Sequence, residues 1–448
     1  MLPIVCVPAS IQQRLRSYRQ VFCRAEGFEW VGRYVTGLLV SSNKTVQGIY
    51  AHQVWPEGEP VPSRRAMHAS LFESGWCNAA LGVCHRGQVG LRHRNGGREV
   101  ISLDWTYGHH ERGPDIYGVK QRYDYVQKRQ SRYQILLTAV LSNRERIDGL
   151  DVVVQAPCFE QAELNYLQAT GKASYSNKQE AARRLVEVVC HMKHNKAYKK
   201  RSVLFREMVQ RIEEEAVCPP AVYVFDNGVL SLELTQYLEA REKFWLSELE
   251  NSRHIFWNNR YQRIDEVADQ LRTEHPESFH QVSVPCRNGE VKSYWVFTKC
   301  VRLKRYGKKR IFIVHERKDL SDAPQFLLTN ALHWEARKAL QTRSYRWTSE
   351  IFHEIDKQDA GLESAQLRNQ DAVEKHVRLS CVAQSILQDV VAKPSTSERF
   401  VFAKGQTTSG QRGHTLTREV FKNVLDYARL LFEKGIETDQ ILNQLMPA

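Results

Sequence analysis

No CxxC pair occurs in the chain, although it holds ten cysteines, scattered from Cys6 to Cys381. In a reducing compartment such isolated cysteines serve mostly as small core hydrophobes. Cys190-His191-x-x-His194 could present zinc ligands on a helix face, but the second ligand pair that a closed site needs is missing. Also missing is any apolar run near the roughly 20 residues of a membrane-spanning helix. The segment 1–7 is apolar but short, with neither the charged leader nor the small-residue cleavage site of a signal peptide. The expectation is a cytoplasmic protein with no membrane partner. Acidic residues are the scarcer charge, 51 against 64 Lys plus Arg, for a net +13. That excess favours a polyanion, either nucleic acid or an acidic membrane face. With 42% hydrophobic and 26% charged residues among 448, the composition is globular and the length suffices for about two to four domains.

Five stretches follow from the patterning. Residues 1–95 read as short helices: 11–24 and 28–40 have helical spacing, and capping residues open two more at 41–50 and 63–68. A basic second entry resembles a helix-turn-helix and would place Lys44, Arg64 and Arg65 near DNA; a small bundle with solvated charges fits equally well. Residues 96–252 alternate strands and helices. The run 100–103 is a short strand ending at Asp104, and strands at 117–127 and 135–141 follow, with turns at Gly113-Pro114 and Ser131-Arg132. A helical region over 177–216 comes next, and 221–225 is a continuous apolar strand ending at Asp226. A helix at 232–240 and a strand at 244–248 complete this part. Residues 253–328 are β-rich, with strands at 281–285, 291–300 and 311–315 and turns at Asn288-Gly289 and Gly307. Their outer hairpin carries Arg302, Lys304, Arg305, Lys308, Lys309 and Arg310. Helices resume over 332–391 with one break near Gly361, and 394–448 is a Ser/Thr/Gly linker with a helical tail.

Two strands ending in aspartate, followed much later by a helix carrying glutamate, suit a metal-dependent phosphoryl-transfer site. Strand-end carboxylates project into one crevice, where open α/β sheets bind ligands. Mg²⁺ prefers hard oxygen donors, and two such ions roughly 3.5–4 Å apart can activate a nucleophile and stabilise the leaving oxygen. A lone strand-end aspartate is more often a turn or cap residue. On the helix near 350, Arg346, Glu350, His353 and Lys357 recur at helical spacing beside an apolar stripe of Trp347, Ile351, Phe352 and Ile355. A carboxylate between two cations suits a metal ligand with phosphate-gripping neighbours, although an exposed salt-bridge face has the same spacing. Glu354, one turn on, is the rival carboxylate.

Three segments resemble a known family. Ser102-Leu103-Asp104-Trp105-Thr106 with His109-His110, then Val224-Phe225-Asp226-Asn227-Gly228, then Leu327–Asn330 with Tyr345-Arg346-Trp347, Glu350 and Lys357, are similar to the motifs of bacterial insertion-sequence transposases of the DDE class, those with a Y-R-E-K signature. The resemblance covers about residues 98–390. It implies a ribonuclease-H-like catalytic core over 96–252 and 329–393, with 253–328 as a β-rich insertion and the helical N-terminal region binding transposon ends. Asp104, Asp226 and Glu350 would hold two Mg²⁺ ions, with Mn²⁺ able to substitute. Arg346 and Lys357 would contact phosphates of double-stranded DNA, and two ends brought together imply a homodimer. The signature tyrosine departs: its position, three before the arginine, is Arg343. A catalytically inactive DNA-binding descendant is the alternative, and loss of a triad carboxylate would mark it. Trp295, Phe297 and Tyr306, among basic residues of the insertion, are candidates for base stacking. Lys193, Lys196, Lys199, Lys200 and Arg201 form either a DNA-facing or a solvated helix surface.

Overall fold

The computed structural model describes residues 2–446 apart from 57–60, 95–97, 111–112, 114, 160–164, 166–167, 171–176, 286–289 and 393–406. The fold is mixed α/β. Its strands are β1 (Glu99–His109), β2 (Lys120–Asp124), β3 (Arg129–Ser142), β4 (Ile147–Gln155), β5 (Ala221–Phe225) and β6 (Trp245–Glu248). Then come β7 (His254–Trp257), β8 (Arg260–Arg263), β9 (His280–Pro285), β10 (Val291–Leu303), β11 (Gly307–His315) and β12 (Gln325–Thr329). They form one sheet in the order β2-β3-β1-β5-β6-β12-β11-β10-β7-β8, with β4 paired to β3 and β9 to β10. β3 runs antiparallel to both β1 and β4, whereas β1, β5 and β6 are parallel. The β-rich segment therefore extends the sheet past β6 through β12.

Both faces of the sheet are covered, as a parallel centre requires. On one face Phe205, Met208, Val209 and Ile212 of the helix Arg201–Glu215 pack on Ile101, Leu103, Leu137 and Leu141. On the other, the helices Trp347–Asp359 and Gln370–Gln388 lie on β1, β3 and β4. The N-terminal helices join that second layer: Tyr34, Val35 and Leu38 of Ala25–Val40 share one core with Val373, Val377 and Leu387. Burial of this order stabilises by about 1.5–3 kcal/mol for each large apolar side chain.

Several local expectations change. β1 does not end at Asp104 but runs five residues further, because β3 pairs with it as far as His109. The β2–β3 turn falls at residues 125–128, where Lys128 takes a positive φ, so Ser131 and Arg132 lie inside a strand. β4 is an additional strand. The 177–216 region is two helices, Lys178–Ala197 and Arg201–Glu215, and 332–391 is three. Ser63 and Thr45 cap their helices as expected, each accepting a backbone N–H. The Arg64–His68 helix continues into a π turn, Ala69–Glu73. The Asn288-Gly289 turn, most of the 394–413 linker, and the side chains of Cys190, His191, Lys193, His194 and Lys196 lie outside the described residues. Among the described residues no helix is long and apolar enough to cross a membrane.

Candidate active site

Asp104 sits mid-strand in β1, Asp226 directly after β5, and Glu350 in the first turn of Trp347–Asp359. Because β1 and β5 are adjacent and parallel, their two aspartates share one crevice. The Glu350 helix is latched over it: Ser349 donates to Ser102 Oγ at 2.6 Å, and Ser102 donates to the Arg346 carbonyl at 3.2 Å. His353 and Thr138 meet at 2.8 Å, and Thr138 in turn donates to the Asp104 carbonyl. These buried polar contacts fix which face the helix turns to the sheet.

Arg346 lies at the centre of the carboxylates. Its guanidinium is 2.8 Å from Glu350, 3.5 Å from Glu248 and 3.8 Å from Asp104. Asp104, 9% exposed, has its carboxyl pushed up to about 7 by burial and by the charge of Asp226. Burial likewise raises Asp226, against the Val229 amide that donates to its Oδ1 and the attraction of Arg346. Such crowding of hard oxygen donors is what a divalent cation relieves. Among the described residues no three acidic, His or Cys side chains stand close enough to hold one ion as they are; the guanidinium fills the space between them.

The crevice contains a carboxylate that sequence reasoning missed. Glu248 ends β6, and the register Phe225↔Ser247 puts it beside Asp226. Arg343 at 3.2 Å and Arg346 both reach it. Its signal is the same as that of Asp226, an acid at a strand end. Of the two helix carboxylates, Glu350 faces the crevice while Glu354 is exposed.

Other expected residues hold structural positions. Lys44 donates to the carbonyls of Leu38 and Asp359, the latter at 3.2 Å, so it ties two helix ends together rather than facing DNA. Lys309 is 6% exposed and paired to Glu239 at 3.2 Å, which corrects its placement on the basic outer face. Lys357 donates to the Tyr107 carbonyl at 2.6 Å and pairs with Glu363 at 2.7 Å, interactions that compete with a phosphate. His109 pairs with Asp124 and His110 with Gln134, so both serve the β2–β3 hairpin. Tyr306 is buried, and Trp295 and Phe297 pack against the core around Trp257 and Phe279. Arg302, Lys304, Arg305 and Lys308 are exposed together on the β10–β11 hairpin, as expected, and Arg64 and Arg65 are exposed, Arg65 bonding Glu73.

No protein-family model and no curated protein matches this chain. Among solved structures it is similar to the NurA nuclease from Sulfolobus solfataricus, at 10% identity over 56% of this chain and 73% of that one, with a TM-score of 0.22.

Proposed function

We propose that this chain is a metal-dependent DNA phosphoryl-transfer enzyme, a transposase of the insertion-sequence DDE class that cuts at the ends of its element and joins them to target DNA. The observation that carries the reading is the convergence of Asp104, Asp226 and Glu350, remote in sequence, on one crevice around one guanidinium. Two aspartates on neighbouring parallel strands, with a glutamate helix over the same face, support the ribonuclease-H-like core implied by the motifs.

Asp104, Asp226 and Glu350, with Glu248 beside them, would hold two Mg²⁺ or Mn²⁺ ions. When bound, such ions activate an attacking hydroxyl and stabilise the leaving oxygen of an in-line displacement. The protein's own groups supply the rest. Ser102 and Ser349 hold the Arg346 backbone against β1. Arg346, held beside Glu248 and Glu350, would offer its guanidinium to a phosphate as a bidentate donor. The exposed cluster Arg302, Lys304, Arg305 and Lys308 would track the duplex backbone. Joining two ends calls for two copies of the chain on the DNA.

The test is cleavage of DNA carrying the element's own ends, with Mg²⁺ and with chelator, by the native chain and by Asp226→Asn. Cleavage and joining by the native chain alone are expected. Equal cleavage by both would sink the carboxylate assignment, and cleavage without joining would reduce the enzyme to a nuclease.

A further inference from the structure

Asp104 and Trp105 point to opposite faces of β1, since strand side chains alternate. Trp105 and Ile135 pack beside the Phe205 layer, across the sheet from the carboxylates. On that side lies a cavity of about 760 Å³, lined by Trp105, Tyr107, Tyr133, Tyr123 and Tyr125 together with Arg122 and Arg201. The rings fall in two groups, Trp105, Tyr107 and Tyr133 with centroids 5.2 and 4.1 Å apart, and Tyr123 with Tyr125 at 5.2 Å, their planes inclined to one another by 45–80°. Tyr125 is 76% exposed and Tyr123 45%, an aromatic surface that the fold itself does not use. Arg201 lies over the Trp105 ring at 4.3 Å. Among the described residues neither Arg201 nor Arg122 makes an ion pair, and no carboxylate lines the cavity.

We propose that this cavity binds an unpaired nucleobase of a DNA strand, with its π-face on the tyrosines and its flanking phosphates at Arg122 and Arg201. Exposed aromatic faces offer a planar ring a place to stack, and two guanidinium groups outside any ion pair among the described residues favour an anion; a nucleotide is both. The sheet separates the cavity from Asp104, so the base it holds belongs to a segment displaced from the duplex rather than to the scissile step. The proposal rests on the DNA reading above and names a second binding region for the same substrate. Under this proposal Arg201 faces DNA rather than solvent.

The experiment uses the full chain carrying Asp226→Asn, so that DNA is bound and not cut. Its ligands are a fluorescein-labelled single strand of about 12 nucleotides and a fully abasic strand of the same length. Anisotropy should show the base-bearing strand bound about tenfold more tightly than the abasic one, the worth of one aromatic–base stack. Joint Tyr123→Ala and Tyr125→Ala substitution, at exposed positions that leave folding intact, should abolish the preference. Joint substitution by Phe should restore it, because stacking needs the ring and not the hydroxyl. Equal binding of both strands by the native aromatic set, or a preference that survives the Ala pair, overturns the proposal. So does displacement of the strand by adenosine monophosphate at the strand's own affinity, which would make the cavity a mononucleotide site. Base preference without any metal-dependent cleavage by the unsubstituted chain would remove the phosphoryl-transfer reading and leave this site standing.

Discussion

Removing Arg346 should destabilise the metal-free protein, and added Mg²⁺ should reverse much of the loss. In Arg346→Ala, Glu350 loses a 2.8 Å charge-assisted pair, while Glu248 and Asp104 lose weaker partners at 3.5 and 3.8 Å. The side chains of Arg346 and Glu350 are 22% and 36% exposed, so solvent screening limits their pair to about 1 kcal/mol. Each longer pair adds roughly 0.5 kcal/mol. Leaving the buried Asp104 without a nearby cation adds about 1 kcal/mol more, for a total of about 3 kcal/mol. The deficit depends on pH. Burial, then Asp226, pushes the Asp104 carboxyl up to about 7. Above that value Asp104 is charged and needs Arg346; below it the acid is neutral, so the deficit should shrink from pH 8 to pH 6. A cation present at about ten times its dissociation constant returns about 1.4 kcal/mol, and it should return more to the variant, where it no longer competes with a guanidinium. Thermal unfolding of native chain and variant at pH 6 and 8, with and without Mg²⁺, reads all of these effects. Identical melting temperatures at pH 8, or equal Mg²⁺ stabilisation of both proteins, would refute the reasoning.

Three more outcomes are expected. Replacing Arg302, Lys304, Arg305 and Lys308 together by Ala should flatten the dependence of DNA affinity on salt, by about 0.9 in log–log slope for each phosphate no longer neutralised, whereas Lys309→Ala should leave that slope unchanged. A Cβ at Gly149 would lie 2.5 Å from the Phe352 ring, so Gly149→Ala should cost about 1–3 kcal/mol in thermal unfolding. The same substitution should lower cleavage by shifting the Glu350 helix. Burial draws the Lys44 amine down to about 8, from 10.5 in the unfolded chain. Between those values only the unfolded chain binds the proton, so stability rises with pH across that window; Lys44→Met should lack the rise and keep native DNA affinity.

The elements legible in the sequence are those whose cause is local. Leu232–Ala240 is readable to its boundaries because Ser231 caps it, and β5 because an unbroken apolar run needs cover on both faces. β4 escapes such a reading because Asp148, Gly149 and Asp151 look like loop residues. In the fold those aspartates are wholly buried, and partners mostly distant in sequence make that tolerable: His93 and the nearby Arg146 meet Asp148, and Arg86, Arg211 and Arg378 surround Asp151. No spacing rule reveals His93, Arg86, Arg211 or Arg378 as those partners. Lys44 and Lys309 mislead in the opposite sense, since a lysine at a helix entry or in a basic hairpin looks like a phosphate ligand until a carbonyl or Glu239 claims it. Glu248 is the instructive case. Its strand-end position is visible in the sequence, with the same standing that Asp104 and Asp226 have alone. What singles those two out is resemblance to a motif, whereas Glu248 becomes significant only through the parallel β5–β6 register. That register gives Arg346 four carboxylates to answer to rather than three, so its charge alone cannot neutralise the crevice. A site built with that surplus of negative charge has a physical reason to recruit cations before it can admit a phosphate.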